Sequence, residues 1–154
     1  MGGYGGASGR VKEGGCYRDT EGVYKVKDPN AIAVAEHYLR LGVYVAFYHE
    51  GDKPRPDLSV DLKMVVEVKG ISSKNSTRIK ENIEKASSQI DAELSKYPED
   101  KRHPGKIVLL SLHSSFEIGY KVAYEGYQKA KREGVVNLDY TVEFWFDEEI
   151  HILH

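Results

Sequence analysis

The chain has 154 residues, a formal net charge of -2 and 30% charged residues, which are values typical of one ordinary globular domain. No run of about 18 apolar residues occurs, which excludes a membrane-spanning helix. The single cysteine, Cys16, excludes an internal disulfide and, without Cys or His neighbours at ligand spacing, argues against a zinc site of the Cys/His kind.

The charge is unevenly distributed along the chain. Basic residues outnumber acidic ones in residues 63–106, whereas residues 138–154 contain five acids and no Lys or Arg. The net charge argues against a strongly basic nucleic-acid binder. The segregation nevertheless permits a basic surface around the central part of the chain.

The N-terminal segment is rich in glycine and poor in large apolar residues. We predict that residues 1–22 form a flexible lead-in and that residues 23–154 form one domain. The start carries no charged-then-apolar signal sequence, so we expect any export to depend on sequence outside this chain.

The first helix begins at Asp28-Pro29, an N-cap followed by proline in the first turn, and ends at Gly42. Glu36 lies at the border of its apolar stripe. A border glutamate is either solvated or part of a site, and the helix pattern leaves both open.

Three strands follow, over residues 43–49, 57–61 and 64–71, with a Pro- and Gly-containing loop over residues 50–56. Side chains alternate along a strand, so Glu67 and Lys69 leave the same face of the third strand. Burying these charges without partners would be costly. The alternative is an exposed edge strand with a weak ion pair.

The second half of the chain alternates helices and strands. A helix from Asn75 or Ser76 to Tyr97 places Lys85 and Gln89 beside its apolar stripe. Residues 106–112 form a central buried strand, and the capping-box spacing from Ser114 to Glu117 opens a helix that ends at Gly134. Residues 135–139 and a terminal β-hairpin complete an α/β domain in which helices flank a mixed central sheet.

The acids of the second and third strands suggest a metal site. A hairpin could bring Asp57 beside Glu67, and two converging carboxylates can hold a hard divalent cation, Mg²⁺ first and Mn²⁺ or Zn²⁺ as alternatives. Such a cation and the nearby Lys69 would support phosphodiester hydrolysis. Asp61 leaves the same face of its strand as Asp57, so the strand pattern leaves the choice between them to the structure.

Pro56-Asp57 and Glu67-Val68-Lys69 resemble the motif of the PD-(D/E)xK nuclease superfamily, and the order of elements over residues 28–112 resembles its common core. The resemblance implies that Asp57 and Glu67 bind metal and that Lys69 is the catalytic lysine. It further implies metal binding by Glu36 and a polar catalytic contribution from Gln89. Candidate nucleic-acid contacts are Lys74, Arg78 and Lys85.

A narrower resemblance rests on the Gly-rich lead-in, PDLSVD, EVKGI, the helix containing KASSQ and the terminal hairpin. Together these look like the C-terminal toxin domains of contact-dependent growth inhibition effectors and related bacterial polymorphic toxins, several of which cleave transfer RNA. The resemblance implies a secreted or cell-surface effector that acts in the cytoplasm of a target cell, a cognate immunity protein that blocks the site, and no membrane insertion by this domain. The acidic net charge departs from what an RNA binder should have. A DNA endonuclease of restriction or repair type, an inactive nucleic-acid-binding module and a stress-response protein are the alternatives.

Overall fold

Eight strands lie side by side in one mixed sheet of the computed structural model, in the order in which they occur along the chain. The structure describes residues 10–12, 15–19, 28–48, 55–135 and 140–154. The strands are β1 (Arg10–Lys12), β2 (Gly15–Asp19), β3 (Val45–Phe47), β4 (Leu58–Val60), β5 (Met64–Ile71), β6 (Gly105–Ser111), β7 (Tyr140–Phe146) and β8 (Glu149–Leu153). The helices are α1 (Pro29–Arg40), α2 (Ser76–Leu94) and α3 (Phe116–Arg132), with a short 3-10 turn at Glu99–Lys101. No helix in the described part of the chain is long and apolar enough to cross a membrane.

Strands β5, β6 and β7 are parallel to one another. Six of the eight strands, β3 to β8, form the open sheet of the α/β domain together with the three helices. The central strand β6 is apolar on both faces, with Ile107, Val108 and Leu109 fully buried. Parallel strands occur where both faces of a sheet are covered, which explains this composition. The prediction of a single α/β domain with a mixed sheet is confirmed. The buried strand predicted at residues 106–112 is found one residue earlier, at Gly105–Ser111, and Leu112 beyond it is exposed.

Each face of the sheet carries its own apolar core. Helix α1 packs on the face that receives Val66 and Val68 of β5. Helices α2 and α3 cover the other face, which receives Val65 and Ile71. The alternation of side chains along β5 therefore places Glu67 and Lys69 on the α2 face, beside an apolar core.

Helix starts follow the sequence closely. Asp28 accepts the N–H of Asn30 at 2.9 Å and caps α1, and Asn75 accepts the N–H of Thr77 at 2.9 Å and caps α2. The capping box predicted from Ser114 to Glu117 is one residue early. Ser115 caps α3 because its backbone is extended and its hydroxyl accepts the N–H of Ile118 at 3.4 Å.

The N-terminal segment differs from the prediction, and most of residues 135–139 lie outside the described residues. Within the lead-in expected over residues 1–22, the described parts form β1 and β2, and β2 pairs in parallel with β3. The backbone N–H and C=O groups along the edge of β3 can pair with any extended chain beside it. The glycine-rich N-terminal sequence can provide that extended chain because strand pairing uses backbone groups only. Of residues 135–139, only Val135 is described.

The predicted terminal hairpin is confirmed as β7 and β8, which pair antiparallel at the edge of the sheet. Its turn residues Asp147 and Glu148 have φ of 46° and 68°, the sign that a tight hairpin turn requires.

The N-terminal end of α1 packs closely on the end of β5. A side chain at Gly70 would overlap the amide group of Asn30 and lie 3.1 Å from Leu112. Only glycine therefore lets the helix approach this closely. Asp28, which caps this end of the helix, lies near enough to Asp57 for its negative charge to raise the pKa of Asp57.

Candidate active site

Asp57 is fixed where strand β4 begins. The last pair of the β4–β5 ladder is Leu58 with Val66, and Asp57 directly precedes it. Its backbone N–H donates to the carbonyl of Val66 and its carbonyl accepts the N–H of Tyr48, both at 3.1 Å. Its carboxylate accepts the N–H of Val68 at 2.9 Å. These bonds hold the Asp57 carboxylate against β5.

Asp61 lies away from this position. It is exposed in the turn between β4 and β5, with φ of 56°, and its carboxylate is 3.9 Å from Lys63 Nζ. The positive φ turns the chain before the alternation of β4 can continue. The structure thus places Asp57, not Asp61, beside Glu67.

Glu67 is a buried carboxylate with one unpartnered oxygen. The residue is 2% exposed, and its Oε2 lies 2.9 Å from Lys69 Nζ. Its Oε1 is buried and receives no hydrogen bond from an N–H donor or a hydroxyl. A buried carboxylate oxygen without a donor is costly, so this atom calls for a proton or a cation.

Asp57 and Glu67 form a carboxylate pair, and their raised pKa values favour a proton held by the pair. Burial, followed by the negative charge of Asp57, raises the pKa of Glu67 to about 8 despite the opposing effect of Lys69. Burial also raises the pKa of Asp57, although hydrogen bonds with Glu67 and Val68 oppose the rise. Ionised carboxylates only accept hydrogen bonds, so the two side chains bond to each other only while one of them holds a proton. A divalent cation between them could replace that proton.

Gln89 holds Lys69 in place from helix α2. Its Oε1 accepts a hydrogen bond from Lys69 Nζ at 2.8 Å, and its Nε2 donates to the backbone carbonyl of Arg55 at 3.2 Å. The structure therefore brings together four of the predicted residues, Asp57, Glu67, Lys69 and Gln89.

A second charged group lies next to Gln89 and was not predicted. Glu93, one turn further along α2, is 4% exposed and pairs with Arg55 at 3.7 Å and Lys96 at 3.0 Å. The Arg55 guanidinium lies 5.0 Å from the centre of the Tyr48 ring. The available signal was the spacing of Glu93 four residues after Gln89, which places both on one line of the helix.

The acid at the start of α1 whose charge acts on this site is Asp28, the N-cap, and not Glu36. Asp28 is among the charges that raise the pKa of Asp57, whereas Glu36 lies two helical turns further along α1. Among the described residues, no three His, Cys, Asp or Glu side chains converge as metal ligands, so the structure does not bring Glu36 to the carboxylate pair. Sequence reasoning treated Asp28 only as a helix cap.

The predicted nucleic-acid contacts lie along and before α2. Arg78, Lys85 and Gln89 share one line of the helix, and Lys74 precedes its N-cap. Lys74, Arg78 and Lys85 are exposed, and no ion pair among the described residues involves them. Their charge is therefore available to an anionic ligand.

Protein-family models, curated proteins and solved structures contain no match to this chain. The site has to be interpreted from its own chemistry. Two carboxylates suit Mg²⁺, which commonly uses one or two protein carboxylates together with waters and substrate phosphates. They suit Zn²⁺ less well, because zinc sites in proteins draw mainly on three or four Cys, His and carboxylate ligands.

Proposed function

We propose that this chain is a metal-dependent nuclease that hydrolyses phosphodiester bonds in nucleic acid. The supporting observation is the carboxylate pair, in which Glu67 Oε1 is buried without a donor while Lys69 stands 2.9 Å from the other oxygen. Structural ion pairs do not require an unpartnered oxygen or a second acid. Both features are expected of a site that receives a cation together with its substrate.

Asp57 and Glu67 would hold the cation. When bound, Mg²⁺ would polarise a phosphoryl oxygen and neutralise charge that develops during hydrolysis. The unpartnered Oε1 of Glu67 and the raised pKa values of the pair fit this role, because a cation would take the place of the shared proton.

Lys69 would act directly on the substrate. A lysine ammonium has three N–H donors, and Lys69 gives one to Glu67 Oε2 and one to Gln89 Oε1. The third is not used by any described residue. It can donate to a phosphoryl oxygen or to the attacking water, where it would stabilise developing negative charge. Gln89 fixes the direction of that donor.

We take the substrate to be RNA, with transfer RNA as the first candidate, and the setting to be a toxin domain delivered into competing bacteria and blocked by an immunity protein. The RNA preference and the biological setting rest on the sequence resemblance. The exposed row of Arg78 and Lys85, with Lys74 beyond it, supports a nucleic-acid substrate, because cations that pair with no acid among the described residues can attract the phosphate backbone.

The test is a cleavage assay on four substrates: transfer RNA, ribosomal RNA, plasmid DNA and a short DNA duplex. Each is incubated with the protein and Mg²⁺, Mn²⁺, Zn²⁺ or excess EDTA. We expect cleavage of transfer RNA with Mg²⁺ or Mn²⁺ and none with EDTA. Expression in bacteria should arrest growth, and co-expression of a neighbouring open reading frame that encodes the immunity protein should relieve the arrest.

The other outcomes separate the alternatives. Nicking of plasmid DNA without cleavage of RNA would favour a DNA endonuclease. Binding without cleavage under every metal would favour an inactive module. The absence of both binding and cleavage would refute the nuclease proposal.

A further inference from the structure

We infer that Arg55 binds a phosphate of the nucleic-acid backbone next to the carboxylate pair. The inference rests on the proposed function, because it assigns the substrate contact on the Gln89 side of the same site. Two buried side-chain atoms in the described part of the chain lack any hydrogen-bond partner, and they are Glu67 Oε1 and Arg55 Nε. Lys69 and Gln89 connect the residues that carry them.

The two unpartnered atoms have opposite requirements. Glu67 Oε1 is an acceptor that lacks a donor or cation, and Arg55 Nε is a donor that lacks an acceptor. A cation accompanied by a phosphate would satisfy both, the cation at Glu67 and a phosphate oxygen at Arg55. In the metal-free protein the proton shared with Asp57 can serve Glu67, whereas Arg55 Nε has no acceptor among the described residues.

The Arg55 guanidinium is held loosely enough to engage a ligand. Its Nη2 lies 3.7 Å from Glu93 Oε1, which is an ion-pair distance but too long for a hydrogen bond. Its side chain is 30% exposed, and one face lies 5.0 Å from the Tyr48 ring. The Tyr48 contact limits the motion of the guanidinium without using its donors.

Glu93 allows Arg55 to turn towards a ligand at little cost. Lys96 Nζ lies 3.0 Å from the same Glu93 oxygen. Glu93 therefore keeps a cation when Arg55 moves. A planar guanidinium with five donors matches the oxygens of a phosphate, which a point charge such as lysine matches less well.

Gln89 places Arg55 on the reacting side of the site. One amide group holds both Lys69 Nζ and the Arg55 backbone, at 2.8 Å and 3.2 Å. The phosphate bound by Arg55 would thus neighbour the phosphate contacted by Lys69. Arg55 would bind and orient the backbone and would take no part in proton transfer.

The experiment measures binding without cleavage. A fluorescein-labelled single-stranded RNA of about 20 nucleotides and a DNA duplex of similar length are titrated with the protein in excess EDTA at several salt concentrations. Four variants are compared: Arg55→Gln, Arg55→Lys, Lys96→Gln and Glu93→Gln. Lys96→Gln is the matched control, because it removes the other cation that pairs with Glu93.

We expect Arg55→Gln to weaken binding about tenfold or more, as loss of a charge-assisted hydrogen bond should. It should also reduce the slope of log affinity against log salt by about 0.7 for the RNA or about 0.9 for the duplex. Arg55→Lys should retain the slope and lose part of the affinity. Lys96→Gln should leave the slope unchanged and weaken binding less than Arg55→Gln does, because Glu93 then has only Arg55 as its cation. Glu93→Gln should tighten binding because it releases Arg55.

Inorganic phosphate identifies the source of the bound group. Inorganic phosphate should displace the RNA from the wild-type protein and should have no such effect on Arg55→Gln. Competition by phosphate together with RNA binding that is unchanged in Arg55→Gln would overturn the inference, because the site would then take free phosphate and not the backbone.

Two results would overturn the assignment outright. They are wild-type affinity and slope in Arg55→Gln, or an equal loss in Lys96→Gln and Arg55→Gln. Arg55→Lys keeps the positive charge beside Glu93 and serves as the folded comparison if Arg55→Gln unfolds. Arg55-dependent binding in a protein that cleaves nothing would refute the nuclease and leave this inference standing, whereas cleavage with Arg55-independent binding would do the reverse.

Discussion

The sheet buries two Glu–Lys pairs, one on each face, and they differ in how completely they are satisfied. On the α2 face Glu67 pairs with Lys69, and on the α1 face Glu143 of β7 pairs with Lys106 of β6 at 3.1 Å. Glu143 is 5% exposed, so the two glutamates are similarly buried. Burial and charge therefore do not distinguish the two sites.

The pair on the α1 face is saturated. One oxygen of Glu143 is paired with Lys106 and the other accepts the indole N–H of Trp145 at 2.9 Å. Lys106 also donates to the Tyr38 hydroxyl at 3.0 Å. Burial lowers the pKa of Lys106, but Tyr38 and Glu143 outweigh that effect and raise it above its ordinary value. This network satisfies both carboxylate oxygens from within the protein and locks α1 to the sheet.

The pair on the α2 face is incomplete. Glu67 has an oxygen without an N–H or hydroxyl donor and a second acid beside it, whereas both oxygens of Glu143 have a donor. The comparison shows that a buried Glu–Lys pair is evidence for a site only where a carboxylate oxygen lacks a hydrogen-bond donor. The predictions below test that difference.

The largest expected contrast is in activity. Glu67→Gln should lower the cleavage rate by at least about a thousandfold, because an amide cannot replace a carboxylate as a cation ligand or share the proton of Asp57. Glu143→Gln, the matched change on the other face, should leave the rate within a few-fold of wild type. Initial rates on the same substrate decide the question, and equal losses in both variants would remove the distinction between the pairs.

A second contrast concerns stability. Lys106→Met should lower the free energy of unfolding by about 3 to 5 kcal/mol, because it leaves Glu143 buried and charged without its cation. Lys69→Met should cost only about 1 to 2 kcal/mol, because Glu67 can hold a proton shared with Asp57. Urea denaturation at pH 7 in EDTA measures both. A larger cost for Lys69→Met would mean that Glu67 is charged in the metal-free protein.

Metal should stabilise only the open pair. Mg²⁺ at about a hundred times its dissociation constant should raise the free energy of unfolding by about 2.7 kcal/mol in the wild type and in Glu143→Gln. Asp57→Asn and Glu67→Gln should lose the effect. Thermal unfolding with and without Mg²⁺ reports it, and stabilisation that survives both substitutions would place the cation elsewhere.

Counted per pH unit, the smallest contrast is in the pH dependence of stability. The folded protein holds a proton on Glu67 up to a pKa of about 8, whereas the unfolded chain releases it near 4.5. The folded state therefore binds more protons between these values, and stability should fall as pH rises, by up to about 1.4 kcal/mol per pH unit. Glu67→Gln should flatten the curve measured in EDTA from pH 5 to 8, and Glu143→Gln should keep it. A wild-type curve that rises over this range would contradict the assignment of the shared proton.

The fold was largely predictable because its signals are local. Asp28-Pro29 and Asn75 mark helix starts through contacts within three residues, and the capping-box pattern at Ser114 locates the start of α3 to within one residue. The apolar run at residues 106–112 marks a strand to the same precision. The pairing of β1 with β2, and of β2 with β3, was not predicted. It depends on an edge supplied by a distant part of the chain, about which glycine-rich sequence carries no signal.

The site was predictable only as far as strand alternation reaches. The Glu67–Val68–Lys69 spacing placed the acid and the lysine on one face, and the helical line through Gln89 placed that residue beside them. Arg55 and Glu93 were missed because they meet across 38 positions of sequence, where neither strand nor helix period applies. Glu36 was predicted from the family resemblance, but the acid at the start of α1 whose charge acts on Asp57 is Asp28.

By itself the sequence determined the elements from α1 onwards, their order and the candidate chemistry of Asp57, Glu67 and Lys69, since these follow from backbone propensity and side-chain period. Only the tertiary structure decided between Asp57 and Asp61, and only it distinguished the open Glu67 pair from the saturated Glu143 pair. The physical reason is that hydrogen-bond satisfaction is a property of the neighbours a residue acquires on folding. A buried glutamate becomes a site or a structural anchor according to which donors the rest of the chain brings to its two oxygens.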